Sequence, residues 1–326
     1  MVGTAGQRSL ARSALVEAAK QLNRALEQIA TLPSTPTLRR DEIRLEVAFA
    51  NALALTGDLV GGKEHYDRAL AIYNPAEHRP LTTRSGRDVE VTLLSYRSPC
   101  VWQLGYPTAS RNDAERAVKN ARETGHLATL IYALNRAANS YIWCGDYTTA
   151  LAQLDELMAL ADERGKALGT LVLGRLFAVN GNAADAVRVI TSEITSARSS
   201  GATLYEPWHL WHLAVAYTEL GQHEDARRCM DDAMEKVARS NEKWCEAEVH
   251  RIAGEIALKS LSPATEAAEK YFEHALSVAR AQQTKSWELR AAMSMARLWR
   301  DQGKLQQATC TDVGSTRVPR RRGRAA

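Results

Sequence analysis

The 326-residue sequence predicts an all-α fold, a superhelical array of about six helical hairpins stacked as an α-solenoid. The first observation is a period. Glycines that close an apolar-periodic stretch recur at Gly57, Gly105, Gly145, Gly181, Gly221 and Gly303, at intervals of 48, 40, 36, 40 and 82 residues, the last close to two units. The second is the segment after each glycine: a short turn and another amphipathic stretch, so the unit is helix, turn, helix, loop. The third is composition. Hydrophobic residues make up 45% of the chain but aromatics only 6%, and alanine is abundant. That mixture suits closely packed helices better than sheets, which enrich β-branched and aromatic residues.

In chain order, residues 1–30 predict one helix, about Ser9–Ala30, with Leu15, Ala18, Leu22, Ala25, Leu26 and Ile29 on one face, the second half of an earlier hairpin. The repeat array spans 31–309. Its first copy sets Phe49, Ala50 and Leu53 before Gly57, then Tyr66 and Ala69. The polar stretch Asn74–Asp88, with Pro75, Pro80 and Gly86, reads as a loop and accounts for the long first interval. Pro99 falls inside the helix expected over Val91–Leu104, where a proline costs about 3 kcal/mol or kinks the helix.

The cleanest copy starts at Ile131. Leu134, Ala137, Ala138 and Tyr141 share one face of its first helix, Gly145-Asp146-Tyr147 makes the turn, and Ala150, Leu154 and Leu157 face inward from the second. Small residues at Ala138 and Ala150 let the helices approach, while Tyr141 and Leu154 fill the space between. Further copies read Thr170, Leu173, Gly174 and Phe177, then Ala186 and Ile190; and Leu210, Leu213, Ala214 and Tyr217, then Ala226, Met230 and Ala233. Trp244–Ala281 has a longer turn near Ser260–Pro263 before Ala268, Phe272 and Ala275. The last copy begins with Ala292, Met295, Ala296 and Trp299 before Gly303 and Ala308. The order of small and large residues resembles the tetratricopeptide repeat (TPR), whose units bury their apolar faces only by stacking.

Residues 310–326 predict a disordered tail. Five arginines, Arg317, Arg320, Arg321, Arg322 and Arg324, stand against Asp312, and the helical period stops in mid-hairpin, as a reading-frame shift would produce. The formal net charge of +4 therefore sits in the tail, and residues 1–309 are neutral. A neutral body offers no general electrostatic footprint for nucleic acid. Met295 and Trp299, left without a following helix, are expected to expose an apolar face and favour self-association. No run of 18 apolar residues predicts a membrane span. The five cysteines form no CxxC pair and read as reduced core residues of a cytoplasmic protein.

Four stretches carry a more specific resemblance: HYDRALAIYNPAEHRPL (65–81), LSYRSPCVWQLGYP (94–107), KWCEAEVHRIAGEIAL (243–258) and KSWELRAAMSMARLWRDQGK (285–304). Over about residues 10–308 the chain resembles the C-terminal TPR region of bacterial multidomain class III adenylate/guanylate cyclases. There a cyclase domain and a predicted ATPase module precede the repeats. The cyclase and ATPase domains are absent from this sequence, residues near 56–62 join an early repeat to a later one, and the closing repeat is replaced by the tail. The resemblance implies a regulatory or scaffolding region without catalytic residues, whose partners are a protein or peptide or neighbouring cyclase and ATPase domains. Alternatives are a non-catalytic cyclase subunit and the helical sensor region of an ATPase-linked transcriptional regulator.

No catalytic, cofactor-binding or metal site is predicted. Gly57–Glu64 (GDLVGGKE) nearly matches the phosphate loop G-x4-G-K-[S/T], but a helix precedes it and Glu64 replaces the hydroxyl that holds Mg²⁺, so it reads as the hairpin turn. His209 and His212, three apart, have no third ligand by spacing, although Cys245 and His250 are candidates to lie near them; they read as packed residues. The candidate binding surface is the concave groove lined by the first helix of each hairpin. It comprises Tyr132, Asn135, Asn139, Trp143, Arg175, Trp208, Trp211, Arg290, Arg297 and Arg300, with Ile142, Val215 and Glu219 beside them. Aromatic and arginine side chains are those that most often carry binding energy; the alternative is that the aromatics only pack against adjacent helices.

Overall fold

The computed structural model describes residues 14–79, 88–199, 204–260 and 263–304. They form 15 helices and, among the described residues, no strand. Six hairpins stack in sequence: α2 (Pro36–Leu55) with α3 (Leu59–Ile72), α5 (Val89–Gln103) with α6 (Pro107–Thr124), α7 (Leu127–Trp143) with α8 (Tyr147–Leu160), α9 (Glu163–Val179) with α10 (Ala183–Ser199), α11 (Glu206–Glu219) with α12 (His223–Ser240), and α13 (Glu246–Lys259) with α14 (Thr265–Ala281). Helix α1 (Leu15–Ile29) precedes the stack and packs on α2, and α15 (Lys285–Asp301) comes after it and packs on α14. The Val89–Thr124 segment is thus a full unit despite Pro99.

The glycine punctuation is a backbone requirement. Gly57, Gly105, Gly145, Gly181, Gly221 and Gly303 all take positive φ, from 73° to 97°. At the cleanest turn the Asp146 amide donates back to Tyr141 O at 2.9 Å, the bond that closes a helix through a left-handed residue. The next helix starts at once because the Asp146 carboxylate accepts the Thr149 amide at 3.1 Å. Asp58 does the same for Gly61 at 2.9 Å. The near match to a phosphate loop is therefore a capped hairpin turn, its helix N-terminus already occupied by a carboxylate.

Inside each hairpin the small positions let helices touch. Ala138 and Ala150 are fully buried, as are Ala226, Ala233, Ala268 and Ala275, with Tyr141, Leu154, Met230 and Phe272 packed between them. In α9 the burial shifts by one residue: Val172 and Leu176 are buried, while Leu173 and Phe177 are only half-buried.

Two expectations need correction. The Asn74–Asp88 loop contains a helical turn, α4 (Pro75–His78), started by the Asn74 side chain and pinned by a 2.6 Å Arg39–Glu77 ion pair. The face of Met295 and Trp299 is not bare. Met295 is 1% exposed and the Trp299 indole donates to Glu269 at 2.7 Å, because α14 covers that side; the exposed apolar side chains of α15 are Leu289 and Met293. Pro99 lies inside its helix as expected: α5 runs through it to Gln103. The Arg-rich tail and the start of the predicted Ser9–Ala30 helix lie outside the described residues. No described helix is long and apolar enough to cross a membrane.

The superhelix closes on itself, which no local pattern announces. The amides of Lys243 and Trp244, leading into α13, donate to Leu55 O at the end of α2, at 2.7 and 3.2 Å. The Ser286 hydroxyl, on α15, donates to Trp102 O at 2.5 Å, and the Trp287 indole donates to Gln103 Oε1 at 3.1 Å. The turns of the first two hairpins thus meet the leading ends of α13 and α15, and the concave side becomes an interior.

Candidate functional site

Closure brings six of the seven tryptophans together. Trp143 lies at the middle, with ring centroids 5.2 Å from Trp102, 5.6 Å from Trp208, 5.9 Å from Trp244 and 6.2 Å from Trp287. Trp211 reaches Trp287 at 6.1 Å. This cluster divides the concave side into two hollows.

The outer hollow, about 430 Å³, lies among the first helices of four hairpins and α15. Ile142 and Trp143 of α7, Trp211, Val215 and Glu219 of α11, Arg251 of α13 and Arg290 of α15 line it. Its charges are matched. Arg251 makes a bidentate pair with the buried Glu248 at 2.8 Å, and Arg290 reaches the same carboxylate at 2.7 Å. His212, on this wall, donates Nδ1–H to Trp208 O at 2.8 Å. Burial and the Arg175 charge lower its pKa to about 3, so it is neutral.

The inner hollow is a cavity of about 50 Å³ beneath the tryptophans. Its wall combines Tyr66, Tyr96, Pro99, Arg136, Tyr205 and Trp208 with further apolar and amide side chains. Arg136 lies 4.8 Å over the Tyr96 ring and donates toward the Tyr205 hydroxyl. Deeper in, Arg175 is 4% exposed, stacks 3.7 Å over Trp208 and donates to Asn139 Oδ1 at 2.7 Å. Its Nη2 is 3.3 Å from His209 Nδ1. Burial, and then repulsion from Arg136, pull the Arg175 pKa down to about 9. Nearby Glu242 accepts the Tyr205 amide at 3.0 Å and the Trp244 indole at 2.8 Å, and burial pushes its carboxyl up to about 7.

The ten groove residues are therefore dispersed. Trp143, Trp211 and Arg290 line the outer hollow, whereas Asn139, Trp143 and Trp208 line the inner one, with Arg175 behind them. Of the two readings of Trp208 and Trp211, an open groove face or packing, their 5% and 4% exposure fits packing, because closure covers them. Tyr132 and Asn135 are half-buried on α7 and line neither hollow; Arg297 and Arg300 are exposed at the end of α15, away from both. Sequence reasoning missed Tyr66, Tyr96, Arg136 and Tyr205. Their convergence depends on closure, which no local pattern shows. His250 does not join His209 and His212. Its ring centroid lies 4.1 Å from that of His274, and Glu246, His250 and His274 bring their donor atoms within 4.8 Å of one another, a group able to take a divalent ion. The spacing of Glu246 and His250, four apart on one helix, was the sequence signal for it.

No family model and no curated protein matches the chain. Solved structures do. The fold is similar to the apo form of the quorum sensor NprR from B. thuringiensis (TM-score 0.54, 11% identity, 95% of this chain and 84% of that one). It is also similar to the apo form of RapI (TM-score 0.52, 14% identity, 83% of this chain and 94% of that one). A tetratricopeptide repeat protein from Parabacteroides merdae aligns more loosely, with TM-score 0.44 and 18% identity over 89% of this chain and 97% of that one. By repeat pattern, helix order and the likeness to the NprR and RapI structures, the chain has an all-α, TPR-like solenoid fold.

Proposed function

We propose that this chain is a regulatory interaction scaffold that receives a peptide or protein segment in its outer hollow and performs no chemistry itself. The observation that carries the reading is the hollow: about 430 Å³, walled by first helices, with apolar Ile142 and Val215 beside Arg251, Arg290 and Glu219. Such a mixture of aromatic, apolar and charged side chains on rigid helices suits an extended or helical segment. A signal-receiving role also agrees with the fold shared with a quorum sensor, and the resemblance to the tail of class III cyclases suggests that the occupant belongs to a cyclase or ATPase partner. An upstream reading frame encoding those domains would support that parentage.

The test is selection of peptides from a random library on the purified protein, followed by fluorescence anisotropy. Selected peptides should bind the native chain and lose at least ~10-fold in affinity to Val215→Arg, which crowds the hollow with a side chain that cannot be repacked there. Peptides that bind both proteins equally would overturn the reading.

A further inference from the structure

Buried cations in a protein interior are ordinarily paired with acids, since an unpaired charge in a low-dielectric setting is costly. Among the described residues, Arg251, Arg290 and Arg97 obey that rule, and all three reach carboxylates. Arg136 and Arg175 do not. Neither makes an ion pair with any described residue, although Arg175 is buried and Arg136 is half-buried on the wall of the inner cavity. Of the 15 residues lining the inner cavity, Arg136 is the one cation and none is an acid. Two acids in this region are engaged differently. Glu242 is held by the Tyr205 amide and the Trp244 indole, and Glu193 acts on Arg175 from α10 without a hydrogen bond.

We propose that the inner cavity is a binding site for a small carboxylate, with Arg136 as its counter-ion and the tyrosines around it as neutral hydroxyl donors. The cavity size sets the group. A water needs roughly 10–15 Å³ of such space, so about 50 Å³ admits a carboxylate with a few further heavy atoms. The charge sets the class. One guanidinium, whose fork matches a carboxylate in two parallel hydrogen bonds, suits a single negative charge. No lysine lines the cavity to add the charge that a phosphate dianion would need. Leu55, Ala54 and the indoles of Trp143, Trp208 and Trp244 supply an apolar wall for the rest of the molecule. Burial raises the Tyr66 and Tyr205 pKa values, which keeps both hydroxyls protonated. This site shares only Trp143 with the outer hollow.

The tryptophan cluster provides the readout. Intrinsic fluorescence of the full chain is titrated with acetate, propionate, butyrate and benzoate, with inorganic phosphate and chloride as controls. Short peptides with free and with amidated C-termini separate a free acid from a chain terminus as the source of the carboxylate. A saturable response to at least one carboxylate is expected, weakened ~10-fold or more in Arg136→Gln. Tyr205→Phe should weaken it less. Should Arg136→Gln lose its helical circular dichroism, Ala54→Leu decides, since it fills the cavity and leaves Arg136 in place; it should abolish the response. No saturable response to any carboxylate, an equal response to chloride or phosphate, or unchanged binding in Ala54→Leu would overturn the proposal.

Discussion

His212 illustrates how far a side chain's neighbours decide its chemistry. Its sequence context, three residues from His209, suggests a ligand pair; its surroundings make it a neutral donor to Trp208 O, faced by the cations Arg175 and Arg290. Its pKa, about 3 against an ordinary 6.5, lies below the unfolded value. The stability it contributes is therefore complete above about pH 6.5 and is lost as pH falls toward 3. At pH 4.5 this loss is on the order of 3 kcal/mol. His212→Asn keeps a donor for the Trp208 carbonyl and removes the titration. Urea midpoints at pH 7.5 and 4.5 should diverge less in this variant than in the native chain, and parallel curves would refute the assignment. Trp208 belongs to the same interior. Trp208→Ala deletes the ring under Arg175 and should cost about 3–5 kcal/mol, as large buried aromatics do, in chemical denaturation followed by circular dichroism. A near-neutral result would mean that its face is open to solvent.

At the scale of the element, most of the fold was legible. The six glycines, the small residues at Ala138, Ala150, Ala214 and Ala226, and the apolar faces all appear where a 3.6-residue period and a left-handed turn require them. Those are local rules, and local rules are what a repeat writes into sequence. Gly254 shows a further one. A Cβ there would lie 2.4 Å from Phe272 Cε1, and the ring is fully buried between α13 and α14. Gly254→Ala improves helix propensity yet overpacks this contact, so it should lower stability by about 1–3 kcal/mol. A gain in melting temperature would show that α14 can move aside. What escaped local reading was the one-turn α4 helix, which is pinned by a tertiary ion pair between Arg39 and Glu77.

At the scale of the whole molecule, the sequence indicates a groove and the structure closes it. Repeat position assigns a residue to the concave side without saying whether that side stays open, because closure depends on residues about 184 positions apart, such as Trp287 and Gln103. That one fact explains why Trp208 and Trp211 are covered, why Arg175 is interior, and why Tyr66, Tyr96, Arg136 and Trp244 meet at one cavity. It also yields a test. Trp287 is 1% exposed, packs on Trp102 and Trp211, and donates to Gln103. Its removal subtracts a buried indole and breaks a contact between the two ends of the array. In an open solenoid each repeat touches only its neighbours, so such a change would loosen α15 alone. In a closed one, Trp287→Ala should cost about 3–5 kcal/mol and speed hydrogen exchange at the far end too, in the α5 amides around Trp102 and Gln103. Exchange that rises in α14 and α15 while α5 stays protected would show that the ends are not coupled in solution.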